Sequence, residues 1–416
     1  MEMLENRFNH VKTIKKADVI VVGGGPSGVA AAIAAAREGV KVVLLEKSAQ
    51  LGGMGTLAGV GIFMIVGNFT GIYKELVADI RPDFEELHGN PEKFKVHFNP
   101  FLLRYYLSKK IREENIDVMY HADFISSEQC SDGSRMIYVN TVEGLVKIQG
   151  KIIIDCTGNG TVAIDAGAEY TSGREKDHLV QPMTMMFQMQ DTGKPVPQTL
   201  PQGCYHYEKE EDLPQGRRLF WEMKPEGTLL VNMTRVPGNG SLIDDLNHAE
   251  EEALKQVLSV ANYLQRNGFE NYILSHIGSQ VGVRETKQIL GDYLLTEEDL
   301  YCGRRFSDVI AQTNYNIDIH SPSGSGETDE RDIKMYDIPY RCLLPQNVEG
   351  ILVAGRAISA NHVAMSSVRV MPTCYAMGQA AGIAASLAVS ERCELRKVNI
   401  DLLHEKLAFQ GAEIQL

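Results

Sequence analysis

The chain has 416 residues, 44% hydrophobic and 23% charged, an ordinary globular composition with room for two domains of ~100–200 residues each. Its formal net charge of −13 repels phosphate polymers and anionic lipid, so neither nucleic acid nor a membrane is expected as a partner. An anionic ligand must then be held locally, by a helix N-terminus or by single arginines.

The first sixteen residues mix Glu, Asn, Lys and His without an apolar run, which argues against a signal peptide. Ala17–Val22 (ADVIVV) is short, β-branched and continuously apolar, as in a strand buried on both faces of a parallel sheet. Pro26–Glu38 is alanine-rich and helical, and Val40–Glu46 (VKVVLLE) is a second buried strand, completing a βαβ unit. Gly52–Gly71 reads as a glycine-rich loop beside a ligand. Pro100–Glu114 is helical, with Leu103, Leu107 and Ile111 on one face. Asp117–His121, Phe124–Ser127, Met136–Val142 and Leu145–Ile148 read as an antiparallel meander, after which Lys151–Asp155 (KIIID) returns to the buried-strand pattern.

From about Asp165 the texture becomes methionine- and proline-rich, as in Met183–Met189, and an amphipathic helix spans Ile243–Arg266. Ser321–Glu330 reads as a polar loop, Gly350–Ala354 as a buried strand and Pro372–Val389 as a helix. These elements predict an α/β fold. A Rossmann-like domain of parallel sheet plus meander is built from residues 1–165 and 335–416, and 166–334 form a central α+β substrate domain. The seven cysteines form no C-x-x-C pair and no zinc spacing, so they read as free thiols and the cytoplasm is the expected address. No metal is expected.

Gly23, Gly25 and Gly28 form G-x-G-x-x-G between the first strand and its helix. They allow the tight turn, backbone approach to a pyrophosphate and close helix–strand packing, respectively. Pro26 opens the helix, Ser27 offers a hydroxyl donor, and Glu46 suits ribose hydroxyls at the end of the second strand. The alternative, a βαβ turn without a nucleotide, leaves that ordered set unexplained. Three further segments distinguish FAD from NAD. Leu51–Thr56 (LGGMGT) resembles the flavoprotein loop around the pyrophosphate, through Gly53, Met54, Gly55 and Thr56. Asp155–Gly160 (DCTGNG) resembles the turn that flavoproteins place against the cofactor, through Thr157 and Gly158. Gly355–Arg356 and Ser367–Gly382 resemble the C-terminal flavin-contacting segment.

Together these motifs resemble the FAD-dependent oxidoreductases related to succinate dehydrogenase and fumarate reductase flavoproteins. The likeness extends to VGVRETK (Val281–Lys287), IDIH (Ile317–His320) and DIPYR (Asp337–Arg341). It implies FAD held between the two domains; the sequence departs from succinate dehydrogenases in having no clear equivalent of the histidine that carries flavin covalently, so non-covalent binding is expected. Lys47, Phe124, Arg356 and Met371 complete the expected cofactor contacts. The N-terminus of the Pro372 helix would face the flavin; the alternative is a tightly packed core helix.

For the chemistry, Arg284 is the first candidate to anchor a substrate carboxylate, against the alternative of a structural ion pair. The resemblance places Arg369 near the flavin ring. His320 and His362 are candidate general bases because histidine titrates near neutral pH, although a lone histidine is more often structural. Tyr315 and Tyr340 are weaker candidates. The expectation is an enzyme that exchanges a hydride between non-covalent FAD and a small organic substrate, with the carboxylate-bearing class favoured by the arginines. Oxidation of C–C, C–N or C–OH bonds and reduction of an activated alkene remain open, as do the electron acceptor and a homo-oligomeric state. The rival is a flavin-binding scaffold or electron-transfer subunit with no small-molecule substrate of its own.

Overall fold

Residues 11–64, 70–82, 95–223, 226–324 and 326–415 are described by the computed structural model. Most of the stretch read for a signal peptide, residues 65–69 of the glycine-rich loop and residue 325 of the polar loop lie outside them.

Strand β1 (Thr13–Val22) is buried from Val19 onward. It enters a tight turn at Gly23, whose φ of +103° is open to glycine. Helix α1 (Pro26–Arg37) places Pro26 in the first turn, where a missing N–H is harmless, and buries its alanines from Ala30 to Ala35. β2 (Val42–Glu46) lies parallel to β1, with Val19 opposite Val42. Helices α2 (Gly71–Ile80) and α3 (Pro100–Glu113) cover the sheet, and Leu103, Leu107 and Ile111 of α3 face the core.

β3 (Asp117–Tyr120) pairs with β2 in parallel, so it is the outer strand of the parallel sheet and not the first strand of the meander. The crossover through α3 returns the chain in the direction of β2, a long-range fact that a short strand pattern does not carry. The meander is β4 (Asp123–Gln129), β5 (Arg135–Thr141) and β6 (Gly144–Asp155). The two runs read separately around Gly150 are one strand. Gly150 leaves space for Ile20: a Cβ there would meet the Ile20 side chain at 2.7 Å. β6 pairs with β1 along one edge, in parallel. Its other edge takes β5 antiparallel along Gly144–Gly150.

A second, antiparallel sheet contains β7 (Phe187–Asp191), β8 (Phe220–Met223), β9 (Thr228–Val231) and, after helix α4 (Ile243–Arg266), β10 (Tyr272–Ile277). Its order is β8-β9-β7-β10. Met189 and Leu229 bury against Ala253, Val257 and Leu264 of α4 in a core of their own.

That core reaches only to Val283. Beyond it come β11 (Val309–Thr313), β12 (Ile317–His320), β13 (Thr328–Arg331) and β14 (Tyr336–Pro339). Leu295, Ile310, Ile317 and Tyr336 share the core of α1 and β1. The packing therefore returns to the first unit well before residue 334, because the apolar residues of this stretch bury against it. Thr328–Glu330, read as loop, pair with β12 as a hairpin.

β15 (Ile351–Val353) joins β6 in parallel at Ile153–Asp155, beside the segment that β5 occupies. Helices α5 (His362–Val368) and α6 (Met371–Ser390) follow. The small residues of α6 serve α1: a Cβ on Gly378 would lie 2.1 Å from the Ser27 carbonyl oxygen, and one on Gly382 2.2 Å from that of Ala31. No helix among the described residues is long and apolar enough to cross a membrane.

Candidate active site

A cavity of about 880 Å³ runs from the amino end of α1 to the seam between the two cores. This is within the range of ligand sites, roughly 300–1,000 Å³. Gly23, Gly25, Pro26 and Ser27 line one end. No side chain caps α1, no acidic residue occupies its first turn, and a Cβ on Gly25 would meet nothing within 4 Å. An uncapped helix end against open space suits a diphosphate. Gly28 does not line the cavity; a Cβ there would sit 1.7 Å from the Gly23 carbonyl oxygen, so it closes α1 onto the turn.

Glu46, Lys47 and Phe124 line the wall. The Glu46 carboxylate accepts from Gly24 N–H at 2.8 Å and Ser48 N–H at 2.7 Å, which fixes it at the end of β2. Gly53 and Met54 line the cavity, but Gly55 and Thr56 do not. Gly55 packs beneath Leu103 and Met371, and Thr56 Oγ1 donates to Leu51 O at 2.7 Å. Those two, expected as contacts, shape the loop from behind because their positions turn into the core.

Thr157 and Gly158 also line the cavity. Their turn is built on the buried Asp155 carboxylate, which accepts from Thr157 N–H and Oγ1, Val162 N–H and Ala163 N–H at 2.7–3.0 Å. Burial nevertheless pushes the Asp155 pKa up. Arg356 spans the same turn, donating to Gly158 O at 2.9 Å, Asn159 Oδ1 at 2.8 Å and Val283 O. Burial lowers its pKa to about 10. Met371 and Cys374 bring the first turn of α6 to the wall. Burial pushes the Cys374 thiol up to about 12, and the seven cysteines are free.

The far end holds Arg284, His320 and Arg369 with Tyr315 and Asp318. Arg284 Nη1 donates to Pro182 O at 2.7 Å and Thr184 Oγ1 at 2.6 Å. No ion pair to a carboxylate forms at Arg284 among the described residues, so the structural ion-pair alternative does not hold there. Burial first, and Arg369 second, lower its pKa to about 9. Arg369 Nη2 donates to Asp318 O at 3.2 Å and Oδ2 at 3.4 Å, and Tyr315 OH donates to Asp318 Oδ2 at 3.0 Å.

Both histidines depart from the expected general base. His320 is 8% exposed, and burial followed by Arg284, Arg235 and Arg369 drives its pKa far below the usual histidine range. Protonation of its imidazole is thereby disfavoured, although Nε2 lies 3.6 Å from Asp318 Oδ1; Nδ1 lacks a hydrogen-bond partner. His362 does not line the cavity; its Nδ1 lies 2.7 Å from Oε1 of the buried Glu285, whose other oxygen accepts from Gln181 N–H at 2.9 Å. His362 therefore links the start of α5 to Glu285, away from the cavity lining. Tyr340 is likewise remote, donating to Leu395 O in the core.

Sequence reasoning missed Asp318, Thr184 and Arg235. Asp318 lay within the quoted IDIH stretch, where alternation on a strand signalled its side. Arg235 and Thr184 had no signal.

A family model described as FAD dependent oxidoreductase matches residues 18–407. The chain belongs to that family. FAD is the cofactor of this oxidoreductase, and the uncapped α1 end, the Gly25 cradle and Glu46 fit its adenosine diphosphate portion. The thiamine thiazole synthase of Methanococcus maripaludis is 34% identical over 92 residues, which cover 22% of this chain and 34% of that protein. Among solved structures, the OxyS anhydrotetracycline hydroxylase from Streptomyces rimosus aligns with a TM-score of 0.47 at 13% identity, covering 95% of this chain and 66% of that one. The p-nitrophenol 4-monooxygenase PnpA from Pseudomonas putida DLL-E4 aligns at 0.47 and 11% identity, covering 96% and 87%.

Proposed function

We propose that this oxidoreductase passes a hydride between a small carboxylate-bearing molecule and non-covalently held FAD, with Arg284 as the carboxylate anchor. The observation that carries this reading is a half-buried guanidinium on the cavity wall that forms no ion pair with a carboxylate among the described residues. A guanidinium fork matches two carboxylate oxygens, and a ligand that supplies them relieves its burial. The finer likeness to succinate dehydrogenase and fumarate reductase flavoproteins, carried by VGVRETK, IDIH and DIPYR, supports the same class. The free thiols support a cytoplasmic setting.

FAD supplies the hydride chemistry when bound. The amino end of α1 and Gly25 would receive its diphosphate, and Glu46 its ribose. Arg356 braces the turn at Gly158. Arg284 and Arg369 orient the substrate from the opposite wall. His320, kept neutral, contributes hydrogen-bonding nitrogens without adding a fourth positive charge to Arg235, Arg284 and Arg369.

The test is anaerobic mixing of the holoenzyme with panels of small carboxylic acids and their amides, following flavin absorbance. Bleaching by acids alone, lost in Arg284→Ala with flavin content intact, is the expected outcome. Equal response to acids and amides, or unchanged behaviour of Arg284→Ala, would overturn the anchor.

A further inference from the structure

Arg235, on the segment after β9, is 3% exposed and lies behind the cavity wall. Its Nη1 donates to Thr184 Oγ1 at 3.0 Å, Asn232 Oδ1 at 3.0 Å and Thr234 O at 2.5 Å. Its Nε and Nη2 are buried without partners. The Thr184 hydroxyl that accepts from Arg235 also accepts from Arg284 at 2.6 Å and donates to Thr234 O at 2.9 Å. Two guanidinium groups therefore converge on one oxygen. The carboxylate facing them is Asp318, which already takes Tyr315 and Arg369.

A buried arginine without a matched anion destabilises a fold, and a hydrophobic side chain of similar length often serves stability better. Structural economy does not account for Arg235. Charge held in reserve for a ligand does.

We propose that Arg235 is a positioning residue for anion recognition. Through the shared Thr184 hydroxyl it holds the Arg284 guanidinium at the cavity wall, and its uncompensated charge makes the pocket choose a carboxylate over a neutral isostere. This inference rests on the reading that Arg284 anchors a carboxylate. Removing Arg235 leaves Thr234 O with its Thr184 donor, so the local frame survives the loss. The charge reaches the ligand site through a low-dielectric interior, where like and unlike charges act more strongly than in water.

The experiment uses FAD-loaded protein, with acetate and its neutral isostere acetamide titrated against flavin absorbance, alongside thermal unfolding. In Arg235→Met the acetate Kd is expected to rise ~10-fold or more, acetamide binding to change less than ~2-fold, and Tm to hold or rise. Arg235→Lys is expected to recover most of the acetate affinity while lacking the fork. Thr184→Val keeps both charges, removes the shared oxygen and is expected to weaken acetate by ~3–10-fold.

Acetate affinity unchanged in Arg235→Met while Arg284→Met loses it would overturn the inference and leave the anchor standing. So would an equal loss of acetate and acetamide affinity, or a Tm drop with selectivity intact. Should Arg235→Met fail to fold, Arg235→Gln, which keeps polar hydrogen bonding without the charge, takes its place: unchanged acetate affinity there overturns the inference, and a selective loss of acetate over acetamide supports it. If Arg284→Met itself binds acetate normally, the anchor reading has failed instead.

Discussion

Beneath α1, two acidic side chains are held by main chain: Glu46 accepts two backbone N–H groups, and Asp155, behind the cavity wall, accepts three backbone N–H groups and one hydroxyl. Beside α4, Arg235 and Arg284 share a hydroxyl, and no ion pair to a carboxylate forms at either among the described residues. One end is a finished frame shaped largely by main chain, ready for the common part of a cofactor. The other carries charge that its own protein does not neutralise. The contrast teaches that cofactor recognition here is a matter of shape, and substrate recognition a matter of unmet electrostatics.

The severest way to break the frame is Gly28→Val. The new side chain starts 1.7 Å from a main-chain oxygen that cannot swing aside. A loss of about 3 kcal/mol or more is expected, with most of the flavin lost on purification. Urea midpoint and the absorbance ratio of flavin to protein measure both. Gly28→Val that keeps its yellow colour would mean the turn is far more pliant than its packing.

Next in size is Arg284→Met, expected to cost about 1.5–3 kcal/mol of carboxylate affinity while flavin content stays at the wild-type level. Parallel loss of flavin would erase the distinction between the two ends. Acidity probes the same contrast more gently. Burial lowers the Arg284 pKa to about 9, so its charged form is present below that pH and lost above it. Acetate affinity should therefore be flat below about pH 8 and fall by up to about tenfold per unit above about pH 9. Isothermal titration at several pH values gives the slope. The smallest signal belongs to His320, whose imidazole should remain neutral as pH falls through the usual histidine range, because burial and four arginines, Arg284 and Arg235 foremost, oppose its protonation. Histidine-selective NMR reads this directly; a normal titration would remove the proposed positive field.

The same contrast explains what was legible in the amino-acid order. Gly23, Gly25 and Gly28 announce themselves because a tight turn and a close helix demand that residue at those positions. The α4 helix was readable to its ends, Ile243–Arg266, because its amphipathic period is local. β3 looked like a meander strand, since strand direction depends on the crossover that precedes it. Gly150 looked like a break, since only the Ile20 side chain reveals why a glycine belongs inside β6. The arginine cluster was opaque for another reason. Arg235, Arg284 and Arg369 arrive from three separated segments, and nothing near Arg235 in the chain marks it as buried. His320 was visible as a candidate, but its protonation is decided by neighbours far away in sequence.

The main-chain contact of α6 with α1 has a consequence for synthesis. Ser27 and Ala31 lie in the amino-terminal half of α1, yet their carbonyls are covered by Gly378 and Gly382, much later in the chain. While the polypeptide emerges from the ribosome, this flank of α1 stays bare until α6 has been translated. Nascent chains halted before residue 371 are therefore expected to be protease-sensitive around α1 and to engage chaperones, and adding a peptide of residues 371–390 in trans should restore protection.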